Sequence, residues 1–243
     1  LADWIDKRSE YLDELLRQEG RGATRECYIC GSADAYYRCR DQCMGHWMQC
    51  RACILKAHQL LPLHWLEWNS ETKCMRRTSL KRLGLVVQLG HRPGHACLQF
   101  KAAHSDFTVI ETNGVHIVRV NFCGCGEGAP ETRQQLMRNG WWPGSVKDPQ
   151  TCATMTCLRQ YYKLNACSKV SVYEYYRSLE RLTDDTGTIS IVEKRRVFTT
   201  IVRQYEHLEL LKRGGRGHVN DGIRMTPAGA LVGVGVLGPA RLG

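Results

Sequence analysis

Eight cysteine and histidine side chains fall between residues 27 and 64, and their spacing constrains the chain more than any other feature. They run Cys27-x2-Cys30, Cys39-x3-Cys43 and Cys50-x2-Cys53, followed by His58 and His64. Two thiolates two residues apart can both point into one turn, the geometry that a tetrahedral Zn²⁺ needs. Three near-regular pairs and two histidines fill two four-ligand sites and leave no position for water. A filled site is a scaffold, whereas an open one suggests catalysis. Large aliphatic residues are few here: Leu55, Leu60, Leu61 and Leu63 cluster at the end of the stretch. A core that thin needs a metal or disulfide staple. Thirteen cysteines, an odd number, cannot all pair as disulfides, and no apolar leader precedes them. The spacings therefore read as zinc ligands in a reducing compartment.

If alternate pairs share a metal, the topology is a cross-brace. Cys27, Cys30, Cys50 and Cys53 hold one zinc, and Cys39, Cys43, His58 and His64 hold the other. This arrangement resembles B-box and ZZ-type modules. Each site ties together distant segments, so metal binding supplies folding free energy on the order of 10 kcal/mol per site. The three-residue gap between Cys39 and Cys43 is longer than the other two, and His46 is an alternative to either histidine. A RING finger would need a further cysteine pair downstream, which the spacing lacks. A second constellation is His91-x5-Cys97 with Cys123-Gly124-Cys125. Two readings stand for it: a third tetrahedral zinc, making two to three in all, or free thiols in a β core. The zinc reading needs Gly124, because cysteines one residue apart point to opposite faces of a strand.

Around these clusters the pattern alternates between helix and strand. Trp4, Ile5, Tyr11, Leu12, Leu15 and Leu16 recur at helical spacing, so residues 3–18 read as an amphipathic helix closed by Gly20 and Gly22. Residues 65–82 bridge to a β-rich stretch. There Leu85 to Leu89, Phe107 to Glu111 and Val115 to Phe122 read as strands, the last two joined by an Asn113-Gly114 hairpin turn. The hairpin's second strand would deliver Cys123 and Cys125. Three helices follow, carried by Met155 to Leu164, Val172 to Leu182 and Val197 to Leu211. After Thr226 the composition turns to Ala, Gly, Val and Leu without period, and the tail reads as disordered or aberrant sequence. With Leu1 at its start, the chain reads as a fragment or an incomplete gene product.

Net charge is +10, and the excess is clustered. Lys73, Arg76, Arg77, Lys81 and Arg82 sit together without an acid between them. Lys194, Arg195, Arg196, Arg203, Lys212, Arg213 and Arg216 accompany Glu193, Glu206 and Glu209. Such patches are the electrostatic footprint of polyanion binding, or else solvated helix faces. No apolar run is long enough to cross a bilayer, so a membrane partner is not expected. Cys74, Cys152, Cys157 and Cys167 lack ligand spacing and read as small buried hydrophobes. His95, His104 and His116 read as surface or hydrogen-bonded histidines, and Trp141-Trp142 as an inter-domain corner. No Walker loop, G-x-S-x-G elbow or H-E-x-x-H helix is present, and Asp106 and Glu111 alone do not make a two-metal site.

The motifs in order run from Tyr11-Leu12-Asp13-Glu14-Leu15-Leu16-Arg17 through Tyr37-Arg38-Cys39, Pro62-Leu63-His64 and Trp68-Asn69. They continue through Leu83-Gly84-Leu85, Gln88-Leu89-Gly90-His91 and Phe122-Cys123-Gly124-Cys125. Trp141-Trp142-Pro143, Leu179-Glu180-Arg181-Leu182-Thr183-Asp184 and Lys212-Arg213-Gly214-Gly215-Arg216-Gly217-His218 close the series. Over roughly residues 3–225 this order resembles the CxC-type cysteine-cluster domain of fungal KDZ (Kyakuja–Dileera–Zisupton) transposases. The resemblance implies a nuclear, transposon-derived protein whose zinc-binding region precedes a DDE-type catalytic domain, and it favours the zinc reading of His91, Cys97, Cys123 and Cys125. Compared with the family pattern, the Cys39–Cys43 gap is one residue longer and a Cys-x-x-Cys-Pro motif is missing after His218. The catalytic domain would lie outside these residues, so no enzyme activity is expected of them.

The expectation is an α+β, zinc-stapled architecture. It comprises a leading helix (1–22), a cross-brace module (23–70), a β-hairpin region with a third zinc (71–150), a helical region (151–217) and an irregular tail (218–243). The expected function is non-catalytic binding of DNA or chromatin in the nucleus. Lys73, Arg76, Arg77, Lys81, Arg82, Lys212, Arg213 and Arg216 would contact phosphates. The alternatives are a zinc-dependent protein-interaction module or a non-functional transposon remnant.

Overall fold

The computed structural model describes residues 2–22, 25–69, 75–92, 94–126, 128–187 and 191–214. Two short helices, α1 (Ala2–Ile5) and α2 (Arg8–Glu19), open the chain, and Gly20 caps the second. The apolar stripe has the helical spacing expected, yet no residue of α2 is buried. Trp4, Ile5, Tyr11, Leu12, Leu15 and Leu16 remain 50–59% exposed.

The next elements are β1 (Tyr37–Cys39), β2 (Cys43–His46), α3 (Arg51–Ala57), β3 (Trp65–Trp68) and β4 (Arg76–Ser79). β3 is the central strand of an antiparallel sheet in the order β1-β3-β4, with Leu66 opposite both Cys39 and Thr78. Residues 65–82 thus supply two strands rather than a bridge. Ile54 from α3 packs with Cys39, Leu66, Leu80 and Leu83, a small core in keeping with the scarcity of aliphatics. Beside it Arg38 is buried and places Nε and Nη2 each 2.8 Å from Glu67 Oε2. Its Nη1 donates to the Gly20 carbonyl at 2.8 Å, which ties the end of α2 to the sheet.

Beyond residue 85 come β5 (Val87–Gln88), β6 (Phe100–Ala102), β7 (Thr108–Glu111), β8 (Gly114–Ile117) and β9 (Val120–Cys123). They are followed by α4 (Thr132–Arg138), β10 (Trp141–Pro143) and β11 (Thr151–Thr154). β7 and β8 form the expected hairpin about Asn113-Gly114, with Glu111 opposite Gly114. A Cβ at Gly114 would lie 2.7 Å from Thr183 Oγ1, so only glycine allows the turn to dock there. The strand expected over Val115 to Phe122 is two strands. β8 belongs to a sheet in the order β10-β11-β7-β8, and β9 to a separate one in the order β5-β9-β6. The switch falls at Val118-Arg119, where the Val118 N–H donates back to the Phe107 carbonyl. Trp141 and Trp142 lie on β10, paired with β11, rather than at a corner. Trp141 joins Leu89, Phe107, Val109, Val120, Phe122, Leu136 and Cys152 in one core shared by both sheets.

The helices α5 (Met155–Ser168), α6 (Val172–Thr183) and α7 (Arg195–Arg213) follow the apolar periodicity. Thr154 caps α5 by accepting the Cys157 N–H, and Ser171 with Glu174 forms a capping box on α6. Tyr175, Tyr176, Leu179 and Thr183 form the buried face of α6, which packs on β8. Phe198 stacks on Tyr175 at 6.0 Å, and Tyr161 packs against it at 5.3 Å with its ring tilted. The chain divides after Ile201 into two units, residues 1–201 and 202–243. Of the second unit, the described residues are 202–214, the remainder of α7 and Gly214; the tail expected at 218–243 lies outside the described residues. No described helix is long and apolar enough to cross a membrane.

Candidate metal centres

The first centre is built from two turns. Cys27 and Cys30 flank a loop closed by Gly31 N–H to Cys27 carbonyl (2.8 Å) and Cys27 N–H to Ser32 carbonyl (2.7 Å), with Gly31 at φ 72°. Cys50 caps α3, which places Cys53 in its first turn. The Tyr28 N–H donates to the Met48 carbonyl at 3.0 Å and holds the two turns together. All four sulfurs lie within 4.8 Å of one another. Sulfurs about 2.3 Å from a tetrahedral Zn²⁺ stand roughly 3.8 Å apart. Cys30 and Cys50 are 3.8 Å apart, far beyond a disulfide and on the edge of that tetrahedron.

The second centre takes Cys39 from the end of β1, Cys43 from the start of β2, His58 from the C-cap of α3 and His64 from the loop before β3. The three-residue gap closes because Gln42 adopts φ 55°. Cys39 Sγ lies 3.4 Å from His64 Nδ1, and Cys43 Sγ lies 3.4 Å from His58 Nε2. The carbonyl of Ile54 can only accept, so His58 Nδ1–H donates to it at 2.8 Å. That bond fixes the tautomer and leaves the Nε2 lone pair for a metal. Burial also lowers the pKa of His58, which favours the neutral, ligating form.

The third centre gathers at one end of the β5-β9-β6 sheet. β5 runs parallel to β9 and β6 antiparallel, so the exit of β5, the entry of β6 and the exit of β9 coincide. These ends carry His91, Cys97, Cys123 and Cys125, again within 4.8 Å of one another. His91 Nε2 is 3.2 Å from Cys123 Sγ and 3.6 Å from Cys125 Sγ, and Cys97 and Cys125 are 3.3 Å apart. Two glycines permit the approach. A Cβ at Gly90 would meet Cys123 Cβ at 2.5 Å, and one at Gly124 would meet the Gln99 carbonyl at 2.6 Å. Gly124 is therefore required by close approach of the Gln99 backbone, rather than by a strand reversal.

Electrostatics point the same way in all three. Burial raises the Cys39 thiol and the Cys43 sulfur beside it adds to that, to about 12. Cys53 is pushed to about 12 by Cys50, and Cys125 to about 11 by Cys97. At Cys27 burial acts upward, but backbone N–H donors led by that of Cys50 outweigh it and bring the thiol to about 6. At Cys97 burial is likewise outweighed, chiefly by Cys125, and the thiol sits near 6. Neighbouring sulfurs thus resist a second ionisation, and a divalent cation is what lets all of them be thiolates together. The first centre offers four sulfurs, the second two sulfurs and two imidazole nitrogens, the third three sulfurs and one imidazole nitrogen. These donor sets, each gathered within 4.8 Å, fit zinc.

The other expected residues fall as follows. His46, His95 and His104 are exposed and outside the clusters. His116 is buried, stacks on Trp65 at 4.3 Å and bonds Asn113 Oδ1 at 2.8 Å. Cys152 and Cys157 are buried as expected, whereas Cys167 is exposed; Cys74 lies outside the described residues. Asp106 faces Lys81 and Glu111 accepts from the Thr112 N–H, so these carboxylates do not converge. In the basic patch, Arg77 lies over Trp65 at 5.0 Å and donates to the Leu182 carbonyl, and Lys81 donates to the Ser105 carbonyl. Arg76, Arg82, Lys212 and Arg213 are exposed, while Lys73 and Arg216 lie outside the described residues.

Several positioning residues carry no spacing signature. Gln135 clamps the third centre, its Oε1 accepting the Cys123 N–H and its Nε2 donating to the Cys123 and Pro130 carbonyls. Asn113 docks the hairpin on the second centre by donating to Asp41 Oδ1 (2.8 Å) and the Leu63 carbonyl (2.9 Å). Asp41 Oδ2 in turn accepts the Trp65 N–H at 2.6 Å. An Asn before Gly was legible as a turn, but not as a docking group.

Residues 80–187 match the family described as the CxC2-like cysteine cluster associated with KDZ transposases. The match contains the third centre, the hairpin and α6; the first two centres precede it. No curated protein and no solved structure matches the chain. The mixed α+β architecture stands, while the B-box or ZZ likeness of the first module has no structural relative behind it.

Proposed function

With the CxC2 match over residues 80–187 as premise, we propose that this chain is a zinc-stapled, non-catalytic accessory region of a KDZ-type transposase that binds DNA or chromatin in the nucleus. The observation that carries the reading is the set of three four-ligand clusters, each already filled by protein donors. Zinc bound there would supply structure: Cys27, Cys30, Cys50 and Cys53 hold one ion, Cys39, Cys43, His58 and His64 a second, and His91, Cys97, Cys123 and Cys125 a third. With no ligand position open to water, such centres scaffold rather than activate.

Net charge of +10 supports a polyanionic partner. Arg77 and Lys81 are committed to carbonyls, whereas Arg76 and Arg82 are exposed and placed to contact phosphate; Lys212 on α7 is a further exposed cation. The 2.8 Å pair of Lys212 with Glu209 is exposed and weak enough to exchange for phosphate. A second reading, a protein-interaction surface, is favoured by an exposed aromatic pair on the first centre: Tyr28 and Trp47 stack at 4.9 Å.

Elemental analysis of the purified chain should find three zinc ions, and strong chelation should unfold it. Duplex DNA binding should weaken about a hundredfold or more between low and moderate salt. Fewer than two ions per chain would break the scaffold. Salt-insensitive or absent DNA binding would overturn the nucleic-acid reading, and a nuclease-resistant partner lost with Trp47→Ala would put the second reading in its place.

A further inference from the structure

A cleft of about 1040 Å³ lies between the second and third metal centres. One wall is β5 with its flanks, Val86 to Gly90, and the other is the loop Gln59 to His64. The walls meet where Gly94 approaches Gln59, whose Oε1 would lie 3.1 Å from a Cβ at that glycine.

Two observations say what fits there. β5 is the outer strand of its sheet, and the N–H groups of Val87 and Leu89 donate to the Arg119 and Asn121 carbonyls of β9 and its entry at 2.8 Å. In a parallel ladder alternate residues face the neighbour, so Gln88, with Val86 before it, turns its backbone N–H and C=O away from β9. Both residues line the cleft. Second, large apolar side chains stand exposed on both walls: Leu60 is 72% exposed, Leu61 38% and Val86 37%.

We propose that this cleft binds an extended apolar peptide segment, which adds as a strand to the free edge of β5 and lays alternate side chains against Leu60 and Leu61. Main-chain bonds to Val86 and Gln88 supply affinity, and the apolar wall selects every second residue. The unpaired backbone dictates an extended partner, and the exposed leucines dictate its composition. This site is separate from the basic residues assigned to DNA, so either assignment can fail without the other.

The test is a phage-displayed library of random heptapeptides panned against the protein as purified, with the recovered sequence synthesised and titrated by fluorescence anisotropy. Recovered peptides should carry apolar residues at alternate positions. N-methylation of the alternate amides that face β5 should weaken binding about tenfold or more, and methylation of the intervening amides should not. Leu60→Asp and Val86→Asp should each cause a similar loss, while Leu98→Asp, at a 98% exposed position outside the cleft, should leave affinity unchanged. The methylated peptides are read on the unaltered protein, so the result stands even if a variant misfolds. Failure to enrich any sequence, methylation effects without alternation, or parental affinity in folded Leu60→Asp would overturn the proposal. So would dimerisation abolished by Leu60→Asp, which would assign the edge to a second copy.

Discussion

At the scale of single residues, glycine and histidine carry the sharpest consequences. Gly90 sits at φ 78° with Cys123 Cβ occupying the space a side chain would need. Gly90→Ala should therefore open the third centre, lowering zinc by one ion per chain while the first two centres keep theirs, as elemental analysis would show. His116 is buried, and burial brings its imidazole from the usual 6.5 down to about 3. Between those values the unfolded chain binds a proton that the folded chain excludes, so folding stability contributed here falls as pH drops from 6.5 toward 3. His116→Gln should flatten that limb of a stability-versus-pH curve relative to the parent; parallel curves would count against it. The ligands themselves were legible in the sequence, because tetrahedral coordination by adjacent thiols demands short fixed spacings. Gln135, Asp41 and Asn113 were not. A polar side chain that clamps a backbone from afar leaves no periodic trace, and its role exists only once the fold has brought the partner near.

At the scale of elements, α6 and the β7-β8 hairpin hold one another. Thr183 Oγ1 accepts the Val115 N–H at 2.7 Å and donates to the Leu179 carbonyl at 2.7 Å, all of it buried. Thr183→Val would strand that N–H and should cost about 1–3 kcal/mol in denaturant unfolding, with Thr183→Ser losing less. The apolar period located all three long helices, since their faces repeat over many turns. Reading Val115 to Phe122 as one strand passed over a change of phase in its alternation, from Val115 and Ile117 to Val118, Val120 and Phe122. It is there that the Val118 N–H bonds the Phe107 carbonyl and the chain changes sheets. Nor could the stripe on α2 say whether anything covers it. Periodicity identifies an apolar face, whereas coverage depends on a surface elsewhere.

At the scale of the whole molecule, the second centre and the hairpin are coupled through Asp41, Asn113 and the Leu63 carbonyl, whereas the first centre packs in its own cluster of Cys27, Ala35, Met48 and Cys50. Cys43→Ser should therefore speed amide hydrogen exchange in residues 108–117 as well as around its own site. Cys30→Ser should leave the hairpin protected, and equal exchange in the two variants would break the coupling. The interleaving of the first two centres also bears on how the chain is made. A polypeptide leaves the ribosome from its N-terminus. The donors of the first ion are complete only when Cys53 emerges, and by then Cys39 and Cys43 are already exposed and waiting for His64. Newly made protein must hold two open thiol pairs apart during that interval, then capture a third ion some sixty residues later at Cys125. On the proposed zinc reading, scarcity of that metal in the cell would act during translation, on nascent chains with unfilled sulfur clusters, before any finished molecule exists to lose its metal.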